Sequence, residues 1–279
     1  MRALGLGYLL AFAAALGFVL SGCGERGTEG SKAEIAVSNS YLGCVVKDLC
    51  GGSAGVFCLA PAGMCPGHFD ISPGQVGRLG GCRLLLLFDF QRQVEDSLSR
   101  LKEKGLRTEL IALPPALCVP DTYVAACRQV CDILSSEYPE REGEYRGRLE
   151  EVERRLGEVG GELLASVREG GAGGAKILVS ERQRGFAEWL GLEEVATFAS
   201  SDIETASNIE RCLREAKGEE VRFVIANKQE GTALARALAE RLGARAVVFS
   251  NFPDGGAVAF GFDGLVRGNV GALVEAAGR

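Results

Sequence analysis

Apolar residues along this chain fall into two alternating rhythms. Short runs rich in branched side chains, at Glu34–Ser38, Gly55–Ala60, Arg83–Phe88 and Arg107–Leu113, read as strands, and Phe90–Lys104 between the last two reads as an amphipathic helix. The same rhythm returns at Lys176–Ser180, Glu194–Ala199, Val221–Ala226 and Arg245–Ser250. Strands alternating with helices favour parallel pairing, because a parallel neighbour needs a crossover long enough to hold a helix. The expected class is α/β, as two lobes with mostly parallel sheets.

Between the two sets lies Pro139–Arg168, with Tyr145, Leu149, Val152, Leu156, Val159, Leu163 and Val167 at steps of three and four. That stripe predicts one long helix with a single buried face, opened by a proline suited to a first turn. Gly160-Gly161 weakens it locally, and Gly170-Gly171-Ala172-Gly173-Gly174 ends it. Periodicity alone also admits one more peripheral helix on a single sheet. The expected limits are a first lobe over 33–138, a connecting helix over 139–169 and a second lobe over 174–279.

The beginning of the chain follows neither rhythm. Arg2 precedes an apolar run from Ala3 to Leu20 and then Leu20-Ser21-Gly22-Cys23, a bacterial lipobox pattern. A permanent span or a buried helix needs no ending of small residues and cysteine, so residues 1–22 read as a lipoprotein signal peptide. Cys23 becomes the lipid-bearing first residue, carrying palmitate. Residues 23–32, rich in Gly, Glu, Ser and Thr, read as a flexible tether. The expected location is extracytoplasmic, exported and anchored to a membrane, in the periplasm or at the cell surface.

Composition narrows the partners. The formal net charge is −6 with no basic cluster, which argues against nucleic acid. Ten cysteines leave nine once Cys23 is set aside, so at least one thiol is free or ligating unless a partner supplies another. Several sit in apolar runs, such as Val56-Phe57-Cys58-Leu59 and Ala125-Ala126-Cys127, where cysteine acts as a small buried hydrophobe. Cys127 and Cys131 share a helical face, a spacing that suits core packing more than metal. The acidic run at Glu150–Glu153, interleaved with Arg154-Arg155, reads as a solvated helix face.

The stretch with most chemistry is Cys65-Pro66-Gly67-His68, which contains the chain's one histidine. A thiolate and an imidazole three residues apart, with Pro-Gly fixing the turn, form a plausible half-site for a metal. Thiolate shifts preference toward soft or borderline ions: zinc foremost, with copper, nickel and cobalt open. Alternatives at these positions are a turn histidine bonded to backbone, and a disulfide from Cys65 to Cys50 or Cys58. A thiol enzyme with Cys65 as nucleophile and His68 as base lacks any CxxC or third orienting residue.

Pro66-Gly67-His68-Phe69-Asp70-Ile71-Ser72-Pro73-Gly74-Gln75-Val76 resembles a stretch of the zinc and manganese substrate-binding proteins of ABC importers, known as cluster A-I, whose histidine is the first metal ligand. Leu79–Phe90 resembles the strand that follows it. Pro139-Glu140 resembles that family's Asp-Pro-Glu, and Leu178–Leu192 resembles its segment after the third ligand. Val221–Ala226, Gly231–Leu242 and Gly243-Ala244-Arg245-Ala246-Val247-Val248 resemble its close.

The resemblance spans roughly 33–278 and implies a binding protein, not an enzyme. Such a protein captures a transition-metal ion between two lobes joined by a long helix, which limits it to a small rocking motion. The implied partners are an ABC permease and its ATPase, with the chain a monomer held at the membrane by its lipid. The family holds metal with three histidines and a carboxylate, a set this chain cannot supply. By spacing the second histidine falls near Pro115, the third near Ser180 with Glu181 beside it, and the carboxylate near Ser250, with Asn251 and Asp254 following. The expected metal ligands are therefore His68, Cys65, Glu181 and Cys118, with Asp254 and Asp263 as weaker options. Glu181 also suits a carboxylate at a helix start, and Cys118 a buried or disulfide-bonded thiol. A same-fold relative binding a metal chelate or other small ligand, and a paralogue that only docks on a permease, are the competing readings.

Overall fold

The computed structural model describes residues 34–51, 54–65, 70–200, 203–254 and 261–278. Cys23 and His68 lie outside the described residues, as do residues 1–22 and 23–32, the expected signal peptide and tether. Residues from Ser31 onward form one compact unit.

The first lobe contains β1 (Ile35–Val37), α1 (Ser40–Cys50), β2 (Val56–Cys58), α2 (Pro73–Leu79), β3 (Leu84–Phe88), the short helices α3 (Arg92–Ser97) and α4 (Ser99–Lys102), β4 (Arg107–Ile111) and α5 (Pro120–Glu137). A turn at Pro139–Arg141 leads into α6 (Glu142–Glu169). The second lobe contains β5 (Lys176–Ser180), α7 (Arg184–Trp189), β6 (Glu193–Phe198), α8 (Ala206–Glu215), β7 (Phe223–Asn227), α9 (Ala233–Leu242), β8 (Arg245–Phe249) and α10 (Gly261–Gly278).

Each lobe holds a four-stranded sheet with every pairing parallel, in the orders β2-β1-β3-β4 and β6-β5-β7-β8. The central strands explain this. All five residues of β3, Leu-Leu-Leu-Leu-Phe, are buried, as are all five of β7. Continuous apolar burial suits a strand covered on both faces, which helical crossovers provide. One core cluster packs the inner face of both sheets against α1, α5, α6 and α10, while separate clusters fill the outer face of each sheet.

The connecting helix buries Tyr145, Val152, Leu156, Val159, Leu163 and Val167, matching its stripe. It runs through Gly160, which packs against Trp189 and Pro120; an added Cβ would lie at an ordinary contact distance of 3.5 Å from the indole. Two expectations fail locally. Phe90–Lys104 is broken at Leu98 into α3 and α4, because Leu98 turns inward to the core and the Ser97 hydroxyl donates to the Val94 carbonyl at 2.6 Å. Arg155 leaves the solvated face and reaches between the lobes to Asp48 and Asp263. Among the described residues no helix is long and apolar enough to cross a membrane.

Candidate functional site

The carboxyl ends of both sheets face a common seam, the usual place for ligands in open α/β sheets. Five connections build it, those after β2, β4, β5, β7 and β8. After β2, the segment Pro61–Cys65 reaches Gln229, which follows β7: the Gln229 amide donates to the Gly63 carbonyl at 3.0 Å and to Ser250 Oγ at 2.9 Å. Its own carbonyl accepts from Asn251 N–H at 3.0 Å, so the side chain is fully used.

After β4, Cys118 lies against the segment that follows β8. Its thiol donates to the Ser250 carbonyl at 3.1 Å, with Asn251 Oδ1 at 3.6 Å, and Asn269 Nδ2 on α10 approaches its sulfur at 3.5 Å. Burial pushes the Cys118 thiol far above its usual value, the Asn269 contact opposing only in part. Ala116, two residues earlier, has a φ of 108° and is the one non-glycine residue with positive φ among those described. It meets Gly185 at the start of α7, where an added Cβ would come within 2.7 Å of the Ala116 Cβ. Tyr41 on α1 holds this loop by donating to the Leu117 carbonyl at 3.0 Å.

The seam is rich in neutral polar groups. Ser38, Asn39, Ser180, Gln183, Asn227, Asn251 and Asn269 are all buried. Gln183 Nε2 donates to Asn227 Oδ1 at 3.2 Å, while Gln183 Oε1 has no partner among the described residues. Nearby carboxylates are engaged. Glu230 accepts from Ser180 Oγ at 2.7 Å and lies 3.7 Å from Arg182, and Asp254 pairs with Lys228 at 2.5 Å.

These positions separate the expected ligands. Cys65 lines a pocket of about 390 Å³ with Pro61, Ala62, Gly63, Met64 and Gln229. Cys118 is fully buried against the second lobe, and Glu181 is exposed at the start of the turn Glu181–Gln183. Asp263 faces Arg155 at 3.3 Å. Among the described residues no three of His, Cys, Asp and Glu gather as a metal cluster. None of the nine described cysteines is in a disulfide, so Cys65 is not joined to Cys50 or Cys58. Cys127 and Cys131 are buried in the core, as their spacing suggests.

Sequence reasoning missed Gln229, Glu230, Asn269 and Met64. The available signal was position: Gln229 and Glu230 come three and four residues after the apolar strand Val221–Ala226, where a parallel sheet delivers residues to its ligand-facing rim.

A model of the family "zinc-uptake complex component A, periplasmic" matches residues 116–276. A sequence search among curated proteins found no match. Among solved structures, a cadmium-bound periplasmic metal-binding protein from Candidatus Liberibacter asiaticus superposes with a TM-score of 0.72 at 13% identity, covering 87% of this chain and 98% of that one. A ZnuA crystal structure gives 0.71 at 15%, covering 88% and 99%. The binding protein FpvC from P. aeruginosa, in complex with Ni²⁺, gives 0.72 at 16%, covering 88% and 97%. At these identities the likeness establishes the fold.

Proposed function

The chain belongs to the zinc-uptake component A family, and from that premise we propose that it is the substrate-binding protein of a metal-ion ABC importer, capturing its cargo in the seam between the lobes. The single observation that carries the reading is convergence. The residues following β2, β4, β5, β7 and β8 meet one another across the seam, so an ion held there touches both lobes at once. Binding energy then favours the closed arrangement, the form a permease distinguishes from the open one. No bond is made or broken in that cycle.

Cys65 and His68 supply ligands from the first lobe, with Glu181 and Cys118 the candidates nearest the second-lobe side. Cys118 is fully buried and hydrogen-bonded, and Glu181 is exposed, so the pair at 65 and 68 carries most of the affinity. The ion is a transition metal of the borderline-to-soft class. The lipid on Cys23 holds the monomer beside the permease and its ATPase on the extracytoplasmic side.

Elemental analysis of the purified protein, wild type and with Cys65→Ser and His68→Ala, tests this directly. One bound transition-metal ion per chain, lost in both variants, is the expected result. Absence of bound metal together with absence of metal-dependent stabilisation by Zn²⁺, Cu⁺, Ni²⁺, Co²⁺ and Mn²⁺ sinks the reading. A second reading, a metal chelate as cargo, draws on the pocket volume of about 390 Å³, which is within the range of small-molecule sites. Mass spectrometry of the denatured protein's supernatant separates the two, because a chelate leaves an organic component that a bare ion does not.

A further inference from the structure

The seam offers sulfur where it withholds charge. Met64 and Cys65, consecutive residues after β2, place a thioether and a thiol at one pocket, and among the described residues no carboxylate lines it. Of the described acids along the rim, Asp254 has Lys228, Glu230 has Ser180 and Arg182, and Glu181 is exposed at the start of its turn, outside the lining of this pocket. Asp48 and Asp263 share Arg155. The wall contributed by the second lobe is Gln229, whose amide is neutral and whose hydrogen bonds are all spent on Gly63, Ser250 and Asn251.

Two physical consequences follow. Thiolate and thioether are soft ligands, which prefer ions such as Cu⁺ over harder divalent ones. Charge balance points the same way. One thiolate neutralises a monovalent ion completely, whereas a divalent ion leaves a net positive charge beside a neutral amide, Lys228 and Arg182 on the flanking turns being already matched by Asp254 and Glu230. An uncompensated charge in a partly desolvated site is costly.

Resting on the metal-cargo reading above, we infer that the cargo is a soft monovalent ion of the Cu⁺ class, bound by the Cys65 thiolate and the Met64 thioether against the neutral wall of Gln229. On binding, the Cys65 thiol gives its proton to solvent and its sulfur bonds the metal, so one proton leaves for each ion bound. Gln229 acts as a positioning residue: it holds the Pro61–Cys65 segment in place and keeps the opposite wall uncharged.

The test uses the full chain, kept reduced and free of oxygen, with Cu⁺ and Ag⁺ as soft monovalent probes and Zn²⁺ and Mn²⁺ as divalent ones. Affinities are read by competition against chromophoric chelators. Wild type is expected to bind Cu⁺ and Ag⁺ one per chain, at least ~100-fold more tightly than Zn²⁺. Cys65→Ser abolishes this, and Met64→Leu weakens Ag⁺ by ~10-fold or more while leaving Zn²⁺ unchanged. Gln229→Glu adds a charge to the wall and moves the preference toward Zn²⁺. Copper-edge X-ray absorption should report at least two sulfur neighbours, falling by one in Met64→Leu. Thermal melts without metal confirm that the variants are folded.

If Zn²⁺ or Mn²⁺ binds as tightly as Cu⁺, or if Met64→Leu changes nothing, the soft-ion inference is overturned while metal capture stands. If none of the four ions binds, metal capture itself has failed and the inference falls with it.

Discussion

The lobes touch through two regions of opposite chemistry. Behind the seam, the first turn of α10 is inserted into the first lobe: Phe262 stacks on Tyr123 at a centroid distance of 4.1 Å and meets Tyr41 edge-on at 5.9 Å. Next to it, Arg155 of the connecting helix bridges Asp48 on α1 and Asp263 on α10, and the Tyr123 hydroxyl donates to Asp48 at 2.9 Å. At the seam itself the contacts are neutral amides, a thiol and backbone carbonyls. Neutral hydrogen bonds contribute about 1 kcal/mol each and exchange readily for water, whereas aromatic burial does not, and the ion triad beside it is partly buried. The rear contact is thus expected to act as a pivot and the seam as the part that opens, in line with the small rocking motion expected of two lobes joined by a long helix.

The largest expected effect breaks the pivot. Phe262→Ala removes a fully buried ring between two tyrosines and should cost about 3–5 kcal/mol of stability in denaturant unfolding. A loss below about 1 kcal/mol would show that α10 is not held by this stack. Lobe-specific hydrogen exchange should then report faster opening across the seam as well.

Much of this architecture is legible in the sequence. The eight strand regions and the long helix follow from apolar period and length, because a parallel sheet covered on both faces needs continuous apolar strands. The break at Leu98 is not legible, since one leucine in an amphipathic pattern does not announce that it turns inward. Arg155 is illegible for a similar reason: in sequence it sits among i,i+4 pairs such as Arg154–Glu158, and only the fold brings Asp48 and Asp263 to it from 107 and 108 positions away. Cys65 is visible as a motif. Gln229 is not, because a lone glutamine carries no chemistry until the topology sets it opposite Gly63.

A smaller effect, on the order of 2 kcal/mol, is expected for Arg155→Met, given that the triad is partly exposed. It carries a pH signature. Burial raises the Asp263 carboxyl above its ordinary value, with Arg155 opposing, so removing the arginine raises it further. A carboxyl with a raised folded value stabilises the protein fully below its unfolded value, and that contribution is lost as pH rises through the folded one. The deficit of Arg155→Met should thus be large near about pH 7 and shrink toward about pH 4. An equal deficit at both pH values would remove the triad from the pivot.

At the seam, Gln229→Ala should cost about 1–2 kcal/mol, because it leaves the Gly63 carbonyl and Asn251 N–H without their partner. The contrast with the pivot lies in where the loss appears. Exchange should accelerate in the Pro61–Cys65 segment and around Ser250, with the α10 stack unaffected. Acceleration throughout both lobes would mean that the seam, too, is a permanent contact.

The smallest effect sharpens the comparison most. Ala116 holds a positive φ that costs an alanine about 1–2 kcal/mol, part of which a glycine recovers before its own unfolded-state entropy intervenes. Ala116→Gly should therefore stabilise by about 0.5 kcal/mol. Gly185→Ala places a methyl 2.7 Å from the Ala116 Cβ and should destabilise, and the double variant should be more stable than the two single effects predict, since it removes the carbon that clashes. Strict additivity in denaturant unfolding would mean the two positions are apart in solution. A non-additive term of ~0.5 kcal/mol or more would place the lobes in contact at the seam without cargo, making the closed arrangement one that the chain's own neutral contacts sustain.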